Sequence, residues 1–184
     1  MIKKNNQLLI IGGTKRNIGK TTLIERIIEK HSLKHKIIAF KIKTIYPNDD
    51  FFHGKDNNPL KENENYRITE ESKKTGIEDT NRMLKAGANK VYKIKTKAGF
   101  ILTAFNELIE KTDIDSLLIC ESNTLRKNIK PSLYLFVKED FSDKMKPSAK
   151  EVIQYADKII LTDGKKHKFD TNEIIIEDLN WRLR

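Results

Sequence analysis

The sequence predicts an α/β fold, a three-layer sandwich built around a mainly parallel central sheet. Apolar runs of strand length alternate along the chain with segments whose apolar residues recur at helical spacing. The first two runs are joined by one of these helical segments, too long a connection for a hairpin, which makes a parallel βαβ unit. The alternation extends over 184 residues, a length that one hydrophobic core can stabilise, so residues 1–184 are read as a single domain.

Gln7 to Ile11 runs into Gly12-Gly13 and reads as a buried strand. Thr21 to Ser32 follows as a helix with Leu23, Ile24, Ile27 and Ile28 on one face. Lys36 to Lys43 is the second strand. From about 44 to 66 the chain is polar and carries Pro47, Gly54 and Pro59, which predicts a long loop. Glu78 to Ala86 is a short helix, with Asp79 placed to cap its start and Gly87 to end it. Val91 to Lys95 is a strand, and Gly99 to Glu110 a helix with Phe100, Ile101, Ala104, Phe105, Leu108 and Ile109 on its apolar face. Ser116 to Cys120 and Leu133 to Val137 are strands, Pro147 opens a helix through Ala156, and Lys158 to Thr162 and Glu173 to Ile176 are the last two strands.

With 38% hydrophobic and 34% charged residues, the composition is that of a globular protein and too polar for a membrane protein. The longest apolar runs, such as Leu8 to Ile11, fall far short of the roughly 18 residues of a membrane span. The N-terminus lacks the longer apolar stretch of a secretory signal, and Cys120 stands alone, so a cytoplasmic location is expected. The net charge of +10 comes from lysines scattered along the chain, and no nucleic-acid partner is expected.

The chemistry is concentrated between the first strand and the first helix, in Gly13-Thr14-Lys15-Arg16-Asn17-Ile18-Gly19-Lys20-Thr21, with Thr22 next. A triphosphate carries closely spaced negative charges, and backbone amides of a tight loop ahead of a helix can meet them without a side chain intervening. Gly13 and Gly19 permit that approach, Lys20 would reach the β and γ phosphates, and the Thr21 hydroxyl would bind the Mg²⁺ that bridges them. Mg²⁺ keeps an octahedral shell and takes one or two carboxylates besides phosphate oxygens. Glu121, at the end of the apolar run Leu117-Leu118-Ile119-Cys120, is the best candidate; the alternative is an exposed loop glutamate. Asp49 and Asp50, after the second strand, are either switch-like residues that organise the metal or the attacking water, or solvated turn residues, with Asp50 the better placed.

The common phosphate loop has four residues between its glycines, whereas five lie between Gly13 and Gly19. The longer form resembles that of the SIMIBI class of P-loop proteins, which includes dethiobiotin synthetase, the ParA and MinD ATPases and several metal-cofactor GTPases. That resemblance implies a P-loop NTPase fold, and a place for Lys15 at the position of the second lysine of the ParA-like members, where it would reach into the site of a homodimer partner. The segment from Glu78 to Ala88, with Asp79, Arg82 and Ala86-Gly87-Ala88, resembles the Asp-Ser/Thr-x-Arg…Ala-Gly-Ala motif of the molybdopterin-guanine dinucleotide biosynthesis protein B (MobB) family. On that resemblance Asp79 and Arg82 lie near the nucleotide or its partner substrate, Lys43 and Glu121 fall in the family's order, Leu161-Thr162-Asp163 marks a strand end that contacts the base, and a molybdopterin-pathway enzyme is the partner. The chain departs from the family at Thr44-Ile45-Tyr46-Pro47, where histidines are usual, and at Ser122-Asn123, where a glycine and an aromatic residue are usual.

The expected function is therefore Mg²⁺-dependent binding and slow hydrolysis of GTP or ATP. Two alternatives remain, a ligase or kinase resembling dethiobiotin synthetase and a nucleotide-dependent regulatory or metal-delivery module. His31, His35, His53 and His167 lack partner cysteines and show no zinc spacing, so they are read as surface histidines. Trp181 is read as a packing anchor.

Overall fold

The computed structural model describes residues 2–46 and 58–184. The chain runs β1 (Lys3–Gly13), α1 (Lys20–His31), β2 (Ile37–Ile45), β3 (Tyr66–Glu70), α2 (Asp79–Lys85), β4 (Lys90–Lys97), α3 (Ile101–Glu110), β5 (Leu117–Glu121), β6 (Ile129–Glu139), α4 (Pro147–Lys150), β7 (Lys158–Thr162), β8 (Ile174–Glu177) and β9 (Asn180–Leu183). Among the described residues, seven strands form one sheet in the order β3-β4-β2-β5-β1-β6-β7, and only β3 is antiparallel to its neighbour. The expected α/β architecture with a mainly parallel sheet is thus present.

Alternation along the strands sends side chains to opposite faces and builds two cores. Leu9 and Ile11 of β1 pack with Leu23, Ile24, Ile27 and Ile28 of α1 and with Met83 and Leu84 of α2. Leu8 and Ile10 pack with Ile101, Ala104, Phe105 and Leu108 of α3 on the other face. Both faces are covered, as a mainly parallel sheet requires. Among the described residues no helix is long and apolar enough to cross a membrane.

Four local features differ from expectation, each for a physical reason. The polar stretch after β2 gives way to β3 at Tyr66. Only Tyr66 and Ile68 of this edge strand pack against the core, so its alternating pattern is too short to read. The helix expected from Pro147 to Ala156 stops at Lys150 and continues as a 3₁₀ turn over Ile153–Tyr155, where the β-branched pair Val152-Ile153 goes with i+3 bonds such as Tyr155 N to Val152 O at 3.0 Å. β9 pairs with β8 through a turn in which Asp178 and Leu179 both have positive φ, 48° and 57°. Such turns ordinarily carry Asn or Gly, so the sequence gives no hairpin signal there. Finally, the residue at the cap of α2 is Glu78, whose amide donates to Asn81 Oδ1 at 3.1 Å. Asp79, expected as the cap, is the first helical residue and its carboxylate is free to point elsewhere.

Candidate functional site

Residues 14–19 leave the C-terminal end of β1, near the middle of the sheet, and lead into α1. The loop is clamped from several sides. Gly13 N donates to Asn123 Oδ1 at 2.9 Å, and Asn123 Nδ2 donates back to Gly13 O at 3.0 Å. Thr14 N donates to Val137 O, and Thr14 O accepts from Lys146 N, both at 3.1 Å. Ile18 is buried in the α1 core and anchors the far side. Asn17 and Gly19, with φ of 55° and 88°, turn the chain into the helix. A Cβ at Gly19 would also come within 2.8 Å of His167 Nε2, so glycine is needed there twice over. Leu23 N bonds to Gly19 O at 3.0 Å, and the amides of the first turn ahead of it carry the partial positive charge of the helix end toward the loop.

Three oxygen-bearing side chains meet at this first turn. Thr21 Oγ1 lies 2.8 Å from Asp79 Oδ1 and 2.9 Å from Glu121 Oε2. A hydroxyl has one hydrogen and donates to only one of them, so the other contact brings lone pairs together, an arrangement that a cation relieves. Oxygens at about 2.0–2.1 Å from an octahedral Mg²⁺ stand about 2.9 Å apart along each edge, close to the spacing found around Thr21. Two carboxylates and a hydroxyl are hard donors that fit Mg²⁺, with the rest of the shell left to ligand and water oxygens. Burial alone would raise the pKa of Asp79, but the hydrogen bond and charge of Lys41 outweigh it and hold the carboxyl below its usual value.

Cations surround these oxygens. Lys20 Nζ stands 3.6 Å from Glu121 Oε1 and donates to Lys15 O at 3.0 Å; burial lowers its pKa, against the pull of Glu121. Lys41 ion-pairs with Asp79 and stands 3.4 Å from Glu121 Oε1. Burial opposes its charge, yet the two carboxylates prevail and raise its pKa. Lys146, at the exposed rim, has its pKa pushed down to about 8 by burial of the amine and then by the charge of Lys20, with Arg16 and Lys41 adding to the effect. With Lys146 and Arg16 near Lys20 and Lys41, cations outnumber carboxylates beside the loop among the described residues.

Register explains how Glu121 and Lys41 arrive here. Glu121 pairs with Ile11 across β1 and β5, and with Lys41 across β2 and β5. The other expected site residues fall as follows. Arg82 donates to Glu25 Oε1 at 2.9 Å and to Thr22 Oγ1 at 3.0 Å, which ties α2 to α1. Lys15 donates to both oxygens of Glu139 at 2.8 Å. Thr14 is fully buried, while Arg16 and Asn17 are exposed. Asp163 uses its carboxylate to close its own turn, accepting from Lys165 N at 2.8 Å and Lys166 N at 2.7 Å. Asp49 and Asp50 lie outside the described residues. His31 and His167 are not the surface histidines expected. His31 stands edge-on to Trp181 with ring centres 5.6 Å apart, and His167 is half-buried against Gly19.

Lys41, Lys146 and Asn123 belong to the site although the sequence did not single them out for it. Lys41 lies two residues before Lys43, on the same face of β2, so strand alternation carries its signal once the end of β2 is known. Lys146 and Asn123 reach the loop only through tertiary contacts.

No protein-family model matches the chain, and no curated protein or solved structure does. The chemical capacity of the site follows from its geometry: amides and ammonium groups suited to a polyanion, beside an oxygen triad suited to a hard divalent cation.

Proposed function

We propose that the chain is a P-loop NTPase of the SIMIBI type, similar to MobB, that binds a purine nucleoside triphosphate, GTP or ATP, with Mg²⁺ and hydrolyses it slowly. The observation that carries this reading is the Thr21 hydroxyl held between Asp79 and Glu121 directly beside the loop that Lys20 spans. Loop amides would take phosphate oxygens, Lys20 the β and γ phosphates, and Thr21, Asp79 and Glu121 the metal. Bound Mg²⁺ supplies charge neutralisation and a fixed phosphate geometry. Water attacks the γ phosphorus, the bond to the bridging oxygen breaks, and nucleoside diphosphate and phosphate result. Among the described residues, Asp79 and Glu121 are both engaged by lysines and Thr21, so neither of these two stands free as a base, which supports slow turnover.

The likeness of the segment around Asp79 and Arg82 to MobB supports an accessory role in molybdenum cofactor biosynthesis, with a molybdopterin-pathway enzyme as partner. A homodimer in which Lys15 serves the partner's site would require Lys15 to leave Glu139. Calorimetric titration of the chain with GTP and with ATP, in Mg²⁺ and then in EDTA, tests the central reading. Metal-dependent binding of one of them at micromolar concentrations is expected, and binding of neither in Mg²⁺ rules it out.

Lys146 adds a pH signature. A bound polyphosphate favours its ammonium form, so its contribution is present below pH 8 and fades as pH rises above it. Because the residue is exposed, solvent screening limits that contribution to about 1 kcal/mol, or about fivefold in affinity. The deficit of Lys146→Met relative to the unaltered chain should therefore be seen at pH 7 and shrink at pH 9. Titrations at the two values check this.

A further inference from the structure

The oxygen triad already has a cation. Lys41 Nζ ion-pairs with Asp79 and lies 3.4 Å from Glu121 Oε1, and Lys20 Nζ lies 3.6 Å from the same oxygen. Two ammonium groups thus pair with the two carboxylates. The lysines are not equivalent. Lys20 is 9% exposed and tethered by its bond to Lys15 O, whereas Lys41 is 34% exposed and reaches in from the neighbouring strand. A divalent cation entering alone would meet Lys41 at its own ligands, and like charges at such spacing repel strongly in a partly buried site.

We propose that Lys41 is a built-in counter-cation that keeps Asp79 and Glu121 closed to free divalent metal until a polyphosphate enters the loop. The phosphates then offer Lys41 and Lys20 a competing anion, the carboxylates are released, and metal and polyphosphate bind as one unit. The second half of this inference rests on the nucleotide reading above. The first half, exclusion of free metal by Lys41, does not. A purely structural ion pair would hold α2 to the sheet and have no effect on which cations the carboxylates accept.

The test is Mn²⁺ binding followed by electron paramagnetic resonance, which counts free Mn²⁺ and needs no turnover. After subtraction of the Mn²⁺ that GTP or ATP chelates in a protein-free titration, the unaltered chain should bind Mn²⁺ weakly alone and at least tenfold more tightly with GTP or ATP. Lys41→Met should bind Mn²⁺ alone at least tenfold more tightly than the unaltered chain, and Lys41→Arg, which keeps the charge, should not. Lys41→Gln replaces the methionine variant if that one does not fold. Equal Mn²⁺ affinity in the uncharged variant and the unaltered chain overturns the proposal, as does tight binding of Mn²⁺ alone by the unaltered chain. Failure of the nucleotide reading looks different: no triphosphate effect in any of the proteins, with the gain in Lys41→Met intact.

Discussion

Lys20→Ala is expected to abolish the thermal stabilisation that Mg²⁺ and the preferred triphosphate give to the unaltered chain. Lys20 is the most buried cation beside the loop, pinned between Lys15 O and Glu121. Its ammonium is therefore already desolvated and oriented before ligand arrives, which is why its removal should cost more than that of a mobile surface lysine. Truncating one partner of a buried, hydrogen-bonded charge pair costs roughly 2–5 kcal/mol, so the dissociation constant should rise roughly thirty- to several-thousand-fold. Lys41 remains beside Glu121 in the variant and continues to neutralise it, so the fold should survive. Thermal scans with and without ligand, supported by circular dichroism of the unliganded variant, read the result. Stabilisation equal to that of the unaltered chain would mean that the triphosphate binds elsewhere.

Trp181→Ala should give the largest loss of stability in the absence of ligand. Trp181 is fully buried, its indole Nε1 donates to Gln7 O at 3.0 Å, and its amide donates to Ser132 Oγ at 3.2 Å, so it fastens the β8-β9 hairpin against β1 and β6. Truncating a buried Trp costs roughly 3–5 kcal/mol. At roughly 2–4 °C per kcal/mol for a chain of this size, the midpoint of thermal unfolding should fall by roughly 6–20 °C. Triphosphate affinity at low temperature should be unchanged, since the hydrogen bonds of Trp181 go to Gln7 and Ser132 rather than to a loop residue. A fall of under about 2 °C would show that the hairpin adds little to the core.

The loop and its immediate neighbours were legible because their chemistry is local. Gly13 and Gly19 bracket the loop between a strand and a helix, Lys20 and Thr21 open that helix, and Glu121 stands where an apolar strand ends. What escaped was non-local. Asn123 clamps Gly13 across 110 positions, and Lys146 approaches through a contact with Thr14 O. Lys41 depends on β2 lying beside β5 rather than on any motif. Asp79 was legible as a site residue but not in its setting. Read as a helix cap, it would have its carboxylate occupied by backbone amides; with Glu78 in the cap position, that carboxylate faces Thr21 instead. The β8-β9 hairpin was hidden because Asp178-Leu179 supports positive φ without the residues that normally announce it.

The Trp181 hairpin also decides how the molecule can be handled. β1 starts at Lys3 opposite Ile129, the first residue of β6, and β9 packs by the early part of both strands. Lys30, near the close of α1, donates to Thr171 O at 2.8 Å on the same side. The hairpin therefore lies toward the N-terminal end of β1, whereas Gly19 and Thr21 follow its C-terminal end. A fluorophore attached at the exposed Arg182 of that hairpin would leave the ligand mouth facing open solution.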